Sequence, residues 1–135
     1  PDALLRIDAA CGGQSRISDD DYVEGAPELV VEIAHSSAAY DLHDKKQAYR
    51  RNGVCEYVVW VQHENRVDWF VLDGGAYRMP SPQAGRIESH AFPGLVLDVD
   101  ALLQGDLAAV VDAVQDGTAS PAHQAFVEQL QDAAA

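Results

Sequence analysis

The chain has 135 residues, of which 47% are hydrophobic, and its formal net charge at pH 7 is -13. A chain of this length can bury a core of its own, and its hydrophobic content excludes an intrinsically disordered protein. The negative charge argues against tight non-specific binding to nucleic acid, because proteins that bind phosphate backbones in this way usually present a basic surface. The two cysteines and five histidines show neither a disulfide framework nor a zinc-binding spacing.

The longest apolar runs and the first residues bear on the location of the protein. No apolar run approaches the roughly 20 residues that a transmembrane helix requires, and we expect no secretory leader. We therefore expect a cytoplasmic protein that does not enter a membrane. The chain begins with Pro1-Asp2 rather than Met, from which we expect that an N-terminal part is absent from the sequence.

In chain order, the hydrophobic pattern predicts strands at 1–7 and 29–33, separated by a long exposed connection over 8–25. A helix at about 41–51 and three strands follow, at 56–62, 66–72 and 76–79. Beyond a loop, 95–97 forms a short extended segment, and Asp98 or Asp100 caps a short helix. The last two helices cover 106–115, ending at Gly117, and 121–132, opened by Pro121.

Two acids interrupt the apolar run that predicts the second strand. Glu28 and Glu32 point to the same face as Val30, but four residues of strand separate them by roughly 13 Å, so one metal ion cannot bind both. A carboxylate within a covered strand is costly unless a cation or a hydrogen-bond donor meets it. We therefore expect a partner for Glu32, the deeper of the two, and keep Glu28 as an acid at the rim.

The predicted helix carries four of the nine Lys and Arg residues of the chain. Ser36, Ser37 or Asp41 can cap its start, and Asn52-Gly53 ends it. At helical spacing, Lys45 shares an apolar stripe with Leu42, Ala48 and Tyr49, and Asp41 precedes it by one turn. The remaining cations are expected to be ordinary surface residues available to phosphate: Lys46, Arg50 and Arg51.

Asp2 on the first strand, Glu32 on the next and Lys45 on the helix are the parts of a metal-dependent hydrolytic site. Two carboxylates and a main-chain carbonyl can hold Mg²⁺ or Mn²⁺, which prefer oxygen ligands. Such an ion polarises a phosphoryl oxygen, and a nearby lysine can orient water or neutralise charge on the phosphate. The alternative is that Lys45 only neutralises Glu32 or Asp41 in a half-buried ion pair.

Several motifs in a fixed order resemble one known family. They are Pro1-Asp2, the stretch GAPELVVEIAHSSAAYDLHDKKQAYRRNGVCEYVVWV and the later FPGLVLDVDALL. Together they resemble the Uma-type restriction endonuclease family, a branch of the PD-(D/E)XK nuclease superfamily, over roughly residues 1–103. The resemblance implies an α/β fold, a restriction-endonuclease-like mixed β-sheet flanked by helices, with added C-terminal helices. We accordingly expect the Uma-type domain at 1–105 and a helical extension at 106–135.

The resemblance also implies roles for individual residues. Asp2 and Glu32 would be the catalytic and metal-binding acids, and the main-chain carbonyl of Ile33 would be a further metal ligand. Lys45 would be the catalytic lysine, the basic member of the motif. Asp41 and Tyr49 match positions typical of the family and would support Lys45. The superfamily's usual lysine position falls on Ala34, and His35-Ser36-Ser37 stands where Ser-Pro-Ser is common; the lysine is therefore expected from the helix.

Two functions from different classes follow from these residues. The first is a Mg²⁺-dependent or Mn²⁺-dependent endonuclease that hydrolyses phosphodiester bonds in DNA. The second is a catalytically inert homodimeric or partner-binding module that retains the nuclease fold, which the charge of -13 favours. Binding of Mn²⁺ through Asp2 and Glu32 separates the two, because only the enzyme requires it.

Overall fold

A computed structural model describes the backbone of residues 1–35 and 39–135 and the side chains of residues 1–35 and 42–135. The predicted caps Ser36 and Ser37 and the side chain of Asp41 lie outside the described residues. The chain divides into two compact units, residues 1–79 and residues 80–135. Within the described residues, no helix has the length and apolar character needed to cross a membrane.

The first unit is built on a five-stranded mixed sheet. Its strands are β1 (Ala3–Leu5), β4 (Leu29–Ala34), β5 (Glu56–Val61), β6 (Arg66–Asp73) and β7 (Ala76–Arg78), which neighbour one another in this order. The β4 and β5 strands are parallel, and the other pairs are antiparallel. The parallel pair lies inside the sheet, which explains why both strands are continuous apolar runs rich in β-branched residues.

The helix α1 (Ala39–Asn52) connects the two parallel strands and packs on one face of the sheet. It ends where the sequence predicts, because Gly53 follows with a φ of 83°, a left-handed conformation that suits glycine. Leu42 and Tyr49 of the helix contact a core formed by alternate residues of the two strands: Val30, Ala34, Tyr57, Val59 and Val61. Glu32 belongs to the same face of β4, so its side chain lies among apolar residues.

The predicted exposed connection contains more structure than its turn residues suggest. A short 3₁₀ turn at Ala9–Cys11 is followed by a hairpin of β2 (Arg16–Ile17) and β3 (Val23–Glu24). The first strand is also shorter than predicted, since the chain leaves the sheet after Leu5. The Arg6 side chain donates hydrogen bonds to Ser15, and the Glu28 carboxylate accepts from the Ile7 amide; these bonds replace a continued β ladder.

The second unit contains a hairpin of β8 (Arg86–Glu88) and β9 (Val96–Asp98), followed by α2 (Val99–Gln104), α3 (Leu107–Thr118) and α4 (Pro121–Ala134). Asp98, Asp106 and Ser120 cap the three helices with their side chains. The prediction that Gly117 ends α3 is wrong. Gly117 lies inside the helix and is buried because it packs against the main chain of Gly94, where a side chain would not fit.

The predicted fold class is confirmed. The described residues form a five-stranded mixed sheet, smaller two-stranded sheets and four α-helices, as expected of a restriction-endonuclease-like fold. The predicted boundary at residue 105 stays a prediction. It differs from the division at residue 80, which marks where the compact units separate.

Candidate active site

The Glu32 carboxylate is the centre of the candidate site. Glu32 is the fourth residue of β4, pairs with Val59 of β5 and is 6% exposed. A buried carboxylate on an apolar face is stable only if donors or cations satisfy its oxygens. The helix α1 supplies both.

Tyr49 and Lys45, one helical turn apart on α1, each contact one oxygen of Glu32. The Tyr49 hydroxyl donates a hydrogen bond to Oε1 at 2.8 Å, and the Lys45 ammonium lies 3.4 Å from Oε2. The Lys45 side chain is 49% exposed, so the residue sits at the edge of the apolar stripe while its ammonium reaches inward. The predicted partner of Glu32 is thus supplied, together with a second partner that the sequence did not assign to it.

Tyr49 remains a neutral donor in this arrangement. Burial is the main cause that raises the pKa of its hydroxyl well above 10.0, and the hydrogen bond to Glu32 and the charge of Glu32 raise it further. The charge of Asp2 acts in the same direction, which indicates that both acids act on this hydroxyl. Tyr49 therefore keeps its proton and holds one oxygen of Glu32 without neutralising the carboxylate.

Asp2 reaches the adjoining part of β4 from the edge strand. Its amide donates to the Val31 carbonyl at 3.0 Å, and its Oδ2 accepts a hydrogen bond from the Ile33 amide at 2.7 Å. Among residues 1–35 and 42–135, no donor is hydrogen-bonded to its other oxygen, Oδ1. The N–H and C=O of one residue in a strand point to the same side, so the Ile33 carbonyl lies on the edge of β4 that Asp2 approaches.

These groups fit a hard divalent cation by donor type. Asp2, Glu32 and the Ile33 carbonyl offer only oxygen atoms, and Mg²⁺ and Mn²⁺ prefer oxygen ligands and retain several waters. No cluster of three or more His, Cys, Asp or Glu side chains suited to a metal occurs in the described part of the chain. A metal here would therefore depend on two carboxylates, main-chain oxygen and water, and the assigned ligands stay predictions.

Glu28 has a structural position away from these contacts. Its Oε2 accepts from the Ile7 amide at 3.0 Å, and its Oε1 accepts from the Gln14 amide at 3.1 Å. Both oxygens of this buried side chain thus hold the connection between β1 and β2. A supporting role for Glu28 in the site would act through this connection.

The three further cations of α1 are not alike. The expectation that Lys46 is an ordinary surface cation is wrong, because its ammonium lies 4.0 Å from the centre of the Phe70 ring. Arg50 also turns to the protein and donates to Gln47 and to the Gly75 carbonyl, at 2.9 and 3.3 Å. Arg51 is exposed as predicted. The sheet continues to β6 and β7 beneath the helix. The sheet therefore contacts a wider part of the helix surface than the predicted apolar stripe.

Tyr57 is a residue of this region that sequence reasoning missed. It is 0% exposed, and its ring lies 5.0 Å from that of Tyr49. Burial, followed by the charge of Glu32, raises the pKa of its hydroxyl. No hydrogen-bond partner for this hydroxyl occurs within the described residues. Tyr57 lies opposite Val30 in the parallel pair of β4 and β5, and its position in a predicted strand that follows the helix is the sequence feature that could have located it there.

Comparison with protein families decides the relationship of the chain. The Uma2 family model, described as "Putative restriction endonuclease", matches residues 1–100. The chain belongs to the Uma2 family. The match covers the whole first unit, with Asp2, Glu32 and Lys45, and extends into the second. A search of curated proteins gave no match.

Membership of the Uma2 family supports a nuclease-like function, and the predicted resemblance is confirmed. The match ends before α3 and α4, which therefore lie outside the part common to the family.

Proposed function

We propose that this Uma2 protein is a divalent-metal-dependent endonuclease that hydrolyses phosphodiester bonds in DNA. The observation that carries the proposal is the buried Glu32 carboxylate, contacted by Lys45 and Tyr49 of one helix. Asp2 adds a second carboxylate on the same strand edge as the Ile33 carbonyl. A hydroxyl with a raised pKa in contact with a buried charged group, as at Tyr49, is typical of functional sites.

Each residue has a distinct task in this proposal. Asp2, Glu32 and the Ile33 carbonyl hold Mg²⁺ or Mn²⁺, which when bound supplies a Lewis acid for the phosphate and a water of lowered pKa. Tyr49 fixes the orientation of Glu32 through Oε1. Lys45 has an ammonium near solvent and can neutralise charge that develops on the phosphate.

The charge of the molecule limits how such an enzyme holds DNA. With a net charge of -13, long-range attraction to phosphate is absent, and two cations of α1 are engaged within the protein. Binding would then depend on a bound cation, Lys45 and the exposed Arg51, and Asp41 would support Lys45. We therefore expect weak binding with a shallow dependence on salt, because few phosphate contacts are made.

The inert partner-binding or homodimeric module is the second candidate, and the same contacts give it specific support. The Glu32 charge already has a cation and a hydrogen-bond donor without any metal. Such a pair is sufficient to stabilise a buried acid in a fold that has no catalytic task.

Calorimetric titration of Mn²⁺ separates the candidates. We expect the wild type to bind Mn²⁺ and Glu32→Gln not to bind, because glutamine keeps the volume and the Tyr49 contact but lacks the charge. Glu128→Gln, at an exposed position of α4, is the matched control and should bind as the wild type does. Cleavage of single-stranded and double-stranded DNA with Mg²⁺ would follow. Absence of Mn²⁺ binding in the wild type would favour the inert module.

A further inference from the structure

The two oxygens of Glu32 are held by partners of different kinds. Oε1 accepts from the neutral hydroxyl of Tyr49 at 2.8 Å and lies 3.7 Å from the Pro1 amino group, whereas Oε2 faces the charged ammonium of Lys45 at 3.4 Å. The first contact is a short hydrogen bond. The second is a longer ion pair, so the two oxygens differ in how readily they can take another ligand.

The two partners also differ in how firmly the protein holds them. The Tyr49 ring packs on Tyr57 at 5.0 Å between centroids and belongs to the core under α1. The Lys45 ammonium ends a flexible side chain that is 49% exposed. Lys45 can therefore move its charge into water at little cost, whereas Tyr49 cannot leave without disturbing the core.

We propose that Lys45 is a displaceable counter-cation, which occupies Oε2 of Glu32 in the metal-free protein and leaves it when a divalent cation binds. This inference rests on the proposed function. Tyr49 retains Oε1 throughout, so Oε2 is the oxygen that Glu32 offers to the metal. Two cations in contact with one oxygen repel each other strongly, which is why Lys45 and the metal exclude one another.

Because of this exchange, Lys45 lowers the affinity of the site for metal, although the same residue assists the reaction. In the metal-free protein, Lys45 stabilises the buried Glu32 carboxylate by facing its Oε2. In the metal-bound protein, its released ammonium becomes available to a phosphate group. A lysine that merely helped to form the metal site would instead raise the affinity for metal.

Calorimetric titration of Mn²⁺ into four proteins tests the exchange: wild type, Lys45→Met, Lys45→Arg and Arg51→Met. We expect Lys45→Met to bind Mn²⁺ about fivefold more tightly or better, the equivalent of one ion pair that no longer has to be broken. Lys45→Arg keeps the charge and should remain close to the wild type. Arg51→Met removes a charge from the exposed side of α1 and controls for the general field, so it should change the affinity little.

Lys45→Gln is the second variant if Lys45→Met folds poorly, because an amide can still donate to Glu32 while the charge is absent. It should show the same gain in affinity. Affinities of Lys45→Met and Lys45→Gln that equal or fall below that of a metal-binding wild type would overturn the exchange and leave the proposed function intact. Absence of binding in all these proteins would overturn both. Binding by the Lys45 variants alone would also overturn the exchange, because the metal would then not displace Lys45 from the wild-type protein.

Discussion

Three tyrosines of one aromatic cluster place their hydroxyl groups in three different environments. Tyr49 donates to Glu32, and Tyr77 donates to the Val54 carbonyl at 2.8 Å. The Tyr57 hydroxyl, at the centre of the cluster, has no partner among the described residues. The same side chain therefore contributes differently to stability at each position, since a buried hydroxyl stabilises the fold only when its hydrogen bond is made.

Tyr57→Phe and Tyr77→Phe should have opposite effects. Tyr57→Phe removes a buried hydroxyl without a described partner and should leave the free energy of unfolding unchanged or increase it. Tyr77→Phe leaves the Val54 carbonyl, in a buried residue, without its donor and should cost about 1 kcal/mol. Urea unfolding of both variants beside the wild type measures the difference. Equal losses in the two variants would contradict the assignment.

Tyr77 also predicts how stability changes at alkaline pH. Burial, followed by the charge of Cys55, raises the pKa of Tyr77 from 10.0 to about 12, although Arg50 lowers it. The fold thus favours the protonated phenol, and this contribution is fully present below pH 10 and is lost as the pH rises through 12. The melting temperature should fall over this range, less steeply in Tyr77→Phe. An identical slope in the variant would exclude Tyr77 as a cause.

At the scale of the element, α1 has contacts along more than one row. Lys45 and Tyr49 contact Glu32, whereas Lys46 and Arg50 contact Phe70 and the Gly75 carbonyl. One row serves the candidate site, and the other fixes the helix on the far part of the sheet. Neighbouring lysines on this helix consequently have different roles.

Lys46→Ala should therefore lower stability without affecting the affinity for Mn²⁺. The lost contact with Phe70 is expected to cost about 0.5 to 1 kcal/mol. Arg51→Ala, on an exposed position of the same helix, should change the free energy of unfolding by less than about 0.5 kcal/mol. Chemical denaturation measures both. A Lys46→Ala protein as stable as Arg51→Ala would show that the ring contact contributes nothing.

Gly117 gives a prediction in α3 that opposes helix propensity. Alanine usually stabilises a helix by about 1 kcal/mol relative to glycine. A Cβ at residue 117 would collide with the Gly94 carbonyl oxygen, so Gly117→Ala should destabilise the protein. Thermal unfolding measures the sign of the change. A higher melting temperature would show that the β8–β9 connection moves aside easily.

Local patterns account for the part of the fold that the sequence predicts. The apolar runs of β4 and β5, the Asn52-Gly53 stop of α1 and the turns between β5, β6 and β7 are each contained in a few consecutive residues. No local pattern contains the contacts of Glu28, because the Ile7 and Gln14 amides lie 21 and 14 residues away along the chain. The position of Lys46 depends in the same way on the width of the sheet beneath the helix.

In the candidate site too, local patterns predict some features, whereas others depend on the three-dimensional structure. Helical spacing predicts Lys45 and Tyr49 together, and the interrupted apolar run predicts that Glu32 has a partner. Which oxygen each partner contacts depends on side-chain geometry, which no periodic pattern contains. The cap of α1 and the contacts of Asp41 stay predictions.

At the scale of the whole molecule, the charge of -13 is the dominant feature. Like charges within a folded chain repel one another, and salt screens this repulsion over a Debye length of about 10 Å at 0.1 M. The acidic excess thus opposes folding as well as the approach of phosphate.

The melting temperature should accordingly rise when NaCl is increased from 10 to about 150 mM, where the screening length falls from about 30 to about 8 Å. Choline chloride should have the same effect, because screening does not depend on a specific cation. Differential scanning calorimetry in both salts measures it. A fall in melting temperature would show that surface ion pairs outweigh the net repulsion.

The edge position of β1 separates the two candidate metal-binding acids by how firmly the fold holds them. Glu32 lies on an interior strand between β1 and β5, whereas Asp2 adjoins a three-residue strand with one neighbour. An edge strand of this length opens far more often than the molecule unfolds. Each opening removes Asp2 from the site and leaves Glu32 in place with Tyr49 and Lys45. The fraction of molecules with a complete site therefore depends on local opening of the sheet edge rather than on the global stability of the protein.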